Sequence, residues 1–177
     1  MSVSIRPRIG RNGLQKTKID TMSLEIERKF LLNGDGWRQG VYQSERLRQG
    51  YLNNETQCSV RVRTGADKAW LNIKGVTVGA QRLEYEYEIP LHEAHEILDT
   101  LSHKPLVEKV RHLVNVGKHV WEIDEFEGEN AGPVVAEVEL DHPDERFEKP
   151  DWVGEEVTHD VRYYNTNLCR NPFKNWA

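Results

Sequence analysis

Apolar and charged residues alternate along most of this chain, a pattern that predicts β-strands with chemically different faces. In the segment from Glu25 to Phe30, the residues Glu25, Glu27 and Lys29 share one parity, whereas Ile26 and Phe30 share the other. Runs of this kind, separated by turn residues, predict eight strands. Their ranges are 24–32, 46–53, 57–64, 68–74, 82–90, 107–116, 118–126 and 133–140. Eight strands is the number at which a small sheet can close into a barrel.

Two segments have helical rather than strand spacing. Leu91, Ala94, Leu98 and Leu101 recur on one side of a helix over residues 91–101, which we expect to cover the outside of the sheet. A second, short helix is predicted over residues 158–168, with Thr158 as its N-cap. The sequence therefore predicts a mainly β protein of the α+β class with a few flanking helices.

The charged faces of the predicted strands include both acidic and basic residues. A charged strand face ordinarily points at water. Like charges on neighbouring strands repel, however, unless an ion or a strand of opposite charge neutralises them. Either these faces line a hydrated tunnel, or the sheet is an open half-shell with its apolar face under the helices. We favour the tunnel, where carboxylates can hold a hard divalent cation and Arg or Lys can hold a polyanion. The alternating groups are Arg61/Arg63, Glu84/Glu86/Glu88, Lys109/Arg111 and Glu137/Glu139.

Length and charge narrow the class of protein. A chain of 177 residues is long enough for a single core, which we assign to residues 22–177. Residues 1–21 are basic and lack an apolar period, so we expect a flexible extension. A net charge of -5 argues against broad nucleic-acid binding. With two cysteines and no apolar run of membrane length, we expect a soluble cytoplasmic protein that binds no membrane.

Familiar catalytic motifs are absent from the sequence. It contains no GxxxxGK[ST] loop, no GxSxG elbow and no HExxH pair. The five tryptophans do not form a basic-aromatic series, and we identify no stacking partner for a purine base.

An ordered series of motifs resembles the CYTH superfamily, also called triphosphate tunnel metalloenzymes. The series begins with Glu25-Ile26-Glu27-Arg28-Lys29, which is similar to the ExExK signature of that family, and it covers roughly residues 24–168. The resemblance implies an eight-stranded antiparallel β-barrel that forms a tunnel. The later motifs are Leu47 to Leu52, Val60-Arg61-Val62-Arg63, Ile73-Lys74-Gly75, Arg82 to Glu88, Glu108 to Arg111, Ile123-Asp124, Val135 to Glu139 and Gly154 to Thr158.

The same resemblance implies the site residues. Lys29 and Tyr51 match a catalytic Lys and Tyr pair, although Tyr51 could equally be a core aromatic. A carboxylate of Glu84 or Glu86 could orient the attacking water, and we take Glu86 as the candidate. The implied ligands of Mg2+ or Mn2+ are Glu25, Glu27, Asp124, Glu137 and Glu139. The implied triphosphate-binding residues are Arg48, Arg61, Arg63, Lys74, Arg82, Lys109, Arg111 and Arg162.

The activity that the resemblance implies is divalent-metal-dependent hydrolysis of a triphosphate phosphoanhydride, with inorganic triphosphate as the expected substrate. The alternatives are an adenylyl cyclase of class IV type, a thiamine triphosphatase of the same fold, and a non-catalytic polyphosphate-binding module. The expected partner is a small-molecule triphosphate, and the chain is expected to be a monomer or a homodimer.

Overall fold

A computed structural model describes residues 24–53, 55 and 57–176. The predicted N-terminal extension, residues 1–21, lies outside the described residues and stays a prediction. The strands are β1 (Leu24–Leu32), β2 (Val41–Tyr51), β3 (Cys58–Thr64), β4 (Ala69–Gly75), β5 (Gln81–Ile89), β6 (Val107–Val116), β7 (His119–Phe126), β8 (Val134–Glu139) and β9 (Val153–Glu156). The helices are α1 (Leu91–Thr100) and α2 (Asn165–Arg170), with short 3-10 turns at Gly36–Gly40, Gly128–Asn130, Val161–Tyr163 and Phe173–Asn175.

The sheet is antiparallel and returns on itself. Its strand order is β5-β4-β3-β2-β6-β7-β8-β1-β9, and an additional pairing joins β5 to β1. The first residues of β1 pair with β5, from Leu24 opposite Leu83, whereas its later residues pair with β8, from Glu27 opposite Glu139. Strands β1 to β8 therefore form a ring, which confirms the predicted mainly β fold and its closed arrangement of eight strands.

Three details of the sequence prediction are wrong. Strand β2 begins at Val41 rather than at residue 46, and β9 was not predicted, because its four residues contain no alternating run. The last helix spans Asn165–Arg170, not residues 158–168. Thr158 is no helix cap: its hydroxyl accepts a hydrogen bond from the backbone N–H of Lys29 and donates one to Glu156.

The apolar side chains of the strands point out of the ring, and the segments that pack against them there complete the protein core. Phe30, Trp121 and Ile123 are fully buried in the largest cluster, where Phe147 and Trp152 cover them. The face formed by β3 and β4 packs instead against α1, through Ala94 and Leu98. Within the described residues, neither helix has the length and apolarity needed to cross a bilayer.

The opposite parity of the strands points into the ring, and one end of that interior is apolar. Val107, Phe126 and Val135 share the parity of the charged residues but lie in a buried cluster with Leu168 and Cys169 of α2. The register places them at the same end, since Leu31 pairs with Val135 and Lys109 with Phe126. Helix α2 therefore closes this end of the ring, and charged side chains line the remainder.

Candidate active site

A cavity of about 600 Å³ lies inside the ring. A smaller space of about 40 Å³ adjoins it near α2, lined by Lys29, Tyr51 and Thr158 among others, and the two spaces share Glu25, Arg61 and Asn165. Every strand of the ring contributes to the large cavity because each presents alternate residues inward. One contributor from each of β1 to β8 is, in order, Glu25, Gln49, Arg61, Lys74, Arg82, Lys109, Glu122 and Glu137.

Strands β1 and β8 bring acidic side chains and one lysine together. Glu27 lies opposite Glu139 in the β-ladder, and Lys29 lies opposite Glu137. The buried ammonium of Lys29 donates hydrogen bonds to Glu27 and Glu137. Burial alone would lower the pKa of Lys29, but the two carboxylates outweigh it and hold this pKa above its ordinary value. Lys29 is therefore an ammonium ion at neutral pH in the free protein.

Glu25 is held by two cations from the facing strands. Lys74 Nζ lies 3.1 Å from both carboxylate oxygens of Glu25, and Arg82 Nε lies 2.5 Å from its Oε2. Burial would raise the pKa of Glu25, but Lys74 and Arg82 together lower it. Burial and the nearby Arg61 lower the pKa of Lys74.

A second ion-pair group is centred on Asp124, which has no exposed surface. Arg111 contacts both its carboxylate oxygens at 2.7 Å, and Lys109 donates a further hydrogen bond. Arg111 also reaches Glu137 at 2.8 Å. Burial and the neighbouring Arg111 lower the pKa of Lys109 to about 8. Both oxygens of Asp124 thus accept hydrogen bonds from cations, and Asp124 is not among the residues that line the cavity.

Arg61 differs from the other cavity cations because its contacts are with neutral groups. Its side chain is buried, its Nη1 lies 3.4 Å from Gln49 Oε1, and its Nε has no hydrogen-bond partner. Within the described part of the chain, Arg61 forms no ion pair with a carboxylate. Its attraction to Glu84 acts at longer range: burial would raise the pKa of Glu84, but Lys74 and Arg61 lower it. A buried guanidinium with no carboxylate in direct contact is costly, so this position favours an anion.

Tyr51 is both a core residue and a residue of the smaller space. Its ring packs in the apolar cluster at the α2 end, and it also lines the smaller space together with Lys29. Burial raises the pKa of Tyr51, although Arg61 beside its hydroxyl opposes the change. The phenol is therefore protonated at neutral pH, and neither Lys29 nor Tyr51 is a ready proton acceptor in the free protein.

Most of the residues selected from the sequence lie in these two spaces, but Asp124, Arg48 and Arg162 do not. Arg48 points to the outer surface, where it pairs with Asp99 at 3.1 Å and Glu108 at 3.3 Å. Arg162 is exposed and pairs with Asp160 at 2.5 Å. The residues that do line the two spaces are Glu25, Glu27, Lys29, Tyr51, Arg61, Arg63, Lys74, Arg82, Glu86, Lys109, Arg111, Glu137 and Glu139.

Sequence reasoning missed several polar residues of the cavity, and strand parity could have found most of them. Gln49 shares the parity of Tyr51, and Glu122 shares that of Asp124. Trp70 also lines the cavity, with the Arg63 guanidinium 4.8 Å from its ring centre. Trp70 is thus an aromatic ring of the cavity that was not identified from the sequence. Asn165 lies outside the alternating strand segments, and no signal in the sequence indicated that it would line the cavity.

The acidic residues of the cavity fit a hard divalent cation by their chemistry, because they offer only carboxylate oxygens. Glu25, Glu27, Glu137 and Glu139 lie on adjacent strands with Glu27 and Glu139 directly opposite. In the described residues no three His, Cys, Asp or Glu side chains already converge on one point. Several of these carboxylates are instead turned toward cations: Glu25 toward Lys74 and Arg82, and Glu27 and Glu137 toward Lys29.

Comparison with known proteins gives a consistent result. The family model of the CYTH domain matches residues 23–168. An inorganic triphosphatase of Acetivibrio thermocellus is 49% identical over 155 residues, which are 88% of this chain and 99% of that protein. An inorganic triphosphatase of Nitrosomonas europaea is 34% identical over 149 residues, covering 82% of this chain and 96% of that protein. The crystal structure of the inorganic triphosphatase NE1496 superposes with a TM-score of 0.59 and 32% identity, over 82% of this chain and 93% of that one.

Proposed function

Because this chain belongs to the CYTH domain family, we propose that it is a metal-dependent triphosphatase that hydrolyses a phosphoanhydride bond of inorganic triphosphate. The observation that carries the proposal is Arg61, a buried cation of the cavity whose contacts are neutral. A polyanionic substrate would supply the directly contacting negative charge that Arg61 lacks. The two relatives that are named inorganic triphosphatases support the same substrate.

The cations around Arg61 form the proposed phosphate site. Arg63, Lys74 and Arg82 line the same wall on β3, β4 and β5, and Lys109 and Arg111 approach from β6. Arginine suits bidentate contacts with phosphate, whereas lysine supplies a compact charge. Phosphoryl transfer depends mainly on such positioning and charge neutralisation. We leave Arg48 and Arg162 out of the proposed site because each is paired with a carboxylate outside the cavity.

Triphosphatases of this family are metal-dependent, and we propose Mg2+ or Mn2+ as the ion. Glu25, Glu27, Glu137 and Glu139 would hold it. The bound ion would neutralise charge on the transferring phosphate. We assign Asp124 a different role from the one its sequence suggested: it orients Lys109 and Arg111 through its two occupied oxygens.

Lys29 and Tyr51 would act at the narrow end of the site. The Lys29 ammonium is positioned by Glu27 and Glu137 to donate to a phosphate oxygen. The Tyr51 hydroxyl lies beside Arg61 and would hold that guanidinium or a phosphate oxygen. Glu86 lies further along β5, where it accepts from Asn72 at 2.7 Å and Arg63 at 3.1 Å. Its proposed contribution is to fix Arg63 against the substrate.

One panel assay tests the proposal. Inorganic triphosphate, pyrophosphate, ATP and thiamine triphosphate are each supplied with Mg2+ or Mn2+, and both phosphate and cyclic AMP are measured. We expect the highest kcat/KM for inorganic triphosphate. Rapid formation of cyclic AMP from ATP would overturn the proposal in favour of a cyclase. Binding of inorganic triphosphate without release of phosphate would favour a non-catalytic polyphosphate-binding module.

A further inference from the structure

Asn165, the first residue of α2, is a cavity residue whose amide group has no assigned use. It lines both the large cavity and the smaller space beside it. Its Oδ1 atom is buried and has no hydrogen-bond partner, and within the described part of the chain its Nδ2 donates to no protein group. An unsatisfied buried polar group costs about 1–3 kcal/mol. The arrangement therefore indicates that water or a ligand completes the hydrogen bonds of Asn165.

Contacts of the neighbouring residues fix the backbone position of Asn165. The Tyr164 hydroxyl donates to the carbonyl of Thr158 at 3.0 Å, and Leu168, one turn further on, is fully buried in the apolar cluster. Asn167 of the same helix donates to the carbonyl of Val161. Helix α2 thus presents one amide to the cavity and uses another for its own structure.

The neighbours of Asn165 in the smaller space are the groups proposed for catalysis. They include Lys29, Tyr51, Glu25 and Arg61. Lysine and arginine can only donate hydrogen bonds, and ionised glutamate can only accept them. An amide can do both at once. It can accept from a water molecule through Oδ1 while it donates to a phosphate oxygen through Nδ2.

Two other buried amides of the ring are each engaged through one of their two groups, whereas Gln49 Nε2 and Asn72 Oδ1 have no hydrogen-bond partner. Asn72 donates to Glu84 at 2.9 Å and to Glu86 at 2.7 Å. The Oε1 atom of Gln49 accepts from Arg61. Among the described residues that line the smaller space, Asn165 is the one side-chain amide. An amide side chain that orients the attacking water is a known solution in phosphoryl transfer.

We propose that Asn165 orients the water that attacks the terminal phosphorus of the substrate, an inference that rests on the proposed triphosphatase function. The water oxygen forms a bond to the terminal phosphorus, and the bond from that phosphorus to the bridging oxygen breaks. One proton of the water stays on the released phosphate, and the other passes to the diphosphate. No other reactant is required.

Two substitutions at Asn165 and one control test this role. Asn165→Ala removes the amide, whereas Asn165→Asp keeps the shape but replaces the donor with an anion. Asn167→Ala is the matched control on the same helix, outside the cavity. We expect kcat for inorganic triphosphate to fall about 100-fold in both Asn165 variants, with the KM of the alanine variant within about threefold of the wild type. The Asn167→Ala variant should keep its kcat.

The outcomes separate this inference from the function on which it rests. If the wild-type chain hydrolyses none of the panel substrates, the triphosphatase proposal itself fails and the role of Asn165 fails with it. If the wild type is active and Asn165→Ala keeps both its kcat and its KM within threefold, Asn165 has only a packing role and the inference is overturned. A rise in KM with unchanged kcat in Asn165→Ala would make Asn165 a ground-state phosphate ligand and would also overturn the inference. Melting temperatures of all variants distinguish loss of turnover from loss of the fold.

Discussion

Arg61 and Arg111 lie in one cavity but in opposite electrostatic situations, and this contrast makes a quantitative prediction. Arg111 contacts Asp124 at 2.7 Å and Glu137 at 2.8 Å, and it also pairs with Glu122. Arg61 contacts Gln49 and lies near the hydroxyl of Tyr51. Replacing each arginine by methionine removes the charge and keeps much of the apolar stem.

The two variants should differ in stability. Arg111→Met leaves three carboxylates without this partner, and breaking a buried ion pair typically costs about 3–5 kcal/mol. Arg61→Met removes a buried cation that has no carboxylate in direct contact and only the longer-range attraction of Glu84, so the free energy of unfolding should change little or increase. For a domain of this size each kcal/mol corresponds to roughly 2–4 °C in Tm. We therefore expect Arg61→Met to melt at least about 6 °C above Arg111→Met.

Their activities should nevertheless fall together. A hydrogen bond to a charged group contributes about 1.5–3 kcal/mol, which corresponds to a loss of about 10- to 150-fold in kcat/KM. Circular dichroism melts without ligand, together with kcat/KM for inorganic triphosphate, provide both quantities. If Arg61→Met melts as low as Arg111→Met, then Arg61 has a structural ion-pairing role, and the reasoning that links its missing partner to substrate binding is refuted.

Three further substitutions test separate parts of the site. Glu25→Gln should abolish a hydrolytic activity that a chelator also removes from the wild type, because oxygen ligands hold the metal; full activity of this variant in chelator would end the metal hypothesis. Tyr51→Phe should lower kcat with little change in KM or Tm, and unchanged turnover would leave Lys29 as a simple phosphate ligand. Arg48→Gln should keep kcat/KM within about twofold and lose at most about 1 kcal/mol of stability, since it removes only exposed pairs; a large fall in kcat/KM would return Arg48 to the substrate site.

Strand parity accounts for most of what could be predicted about the fold and the cavity. Charges at every second residue of β1, β3, β6 and β8 indicated a ring with a polar interior, and the ring pairs Glu27 with Glu139. Parity does not predict which side chains reach the cavity where inward-pointing residues of adjacent strands carry opposite charges. Asp124 has the inward parity of β7, but Lys109 and Arg111 of the adjacent strand cover it, so it does not reach the cavity surface. Alternation gives the face of a side chain, not the neighbours that compete for its charge.

The outward position of Arg48 has the same origin. Arg48 lies between Leu47 and Gln49, which both point inward from β2. Its parity therefore places it outside, where Asp99 of α1 and Glu108 of β6 provide its partners. Arg48 was selected for its charge because it lies in a family motif. The alternation of side chains along β2, however, determines which face of the sheet Arg48 occupies.

The C-terminal segment shows a limit that strand parity cannot overcome. In residues 158–168 the charge of Arg162 made it the evident candidate, yet Asp160 holds it on the surface. The segment turns at Val161–Tyr163 before α2 begins, and this turn brings Asn165 into the cavity instead. An asparagine carries no charge that would mark it as a candidate in the sequence. The proposed role of Asn165 also depends on which end of the ring α2 closes. That end is fixed by the packing of Leu168 into one buried cluster with Val107 and Val135. These residues are far from Leu168 in the chain, so the position of α2 follows from tertiary packing rather than from any local pattern.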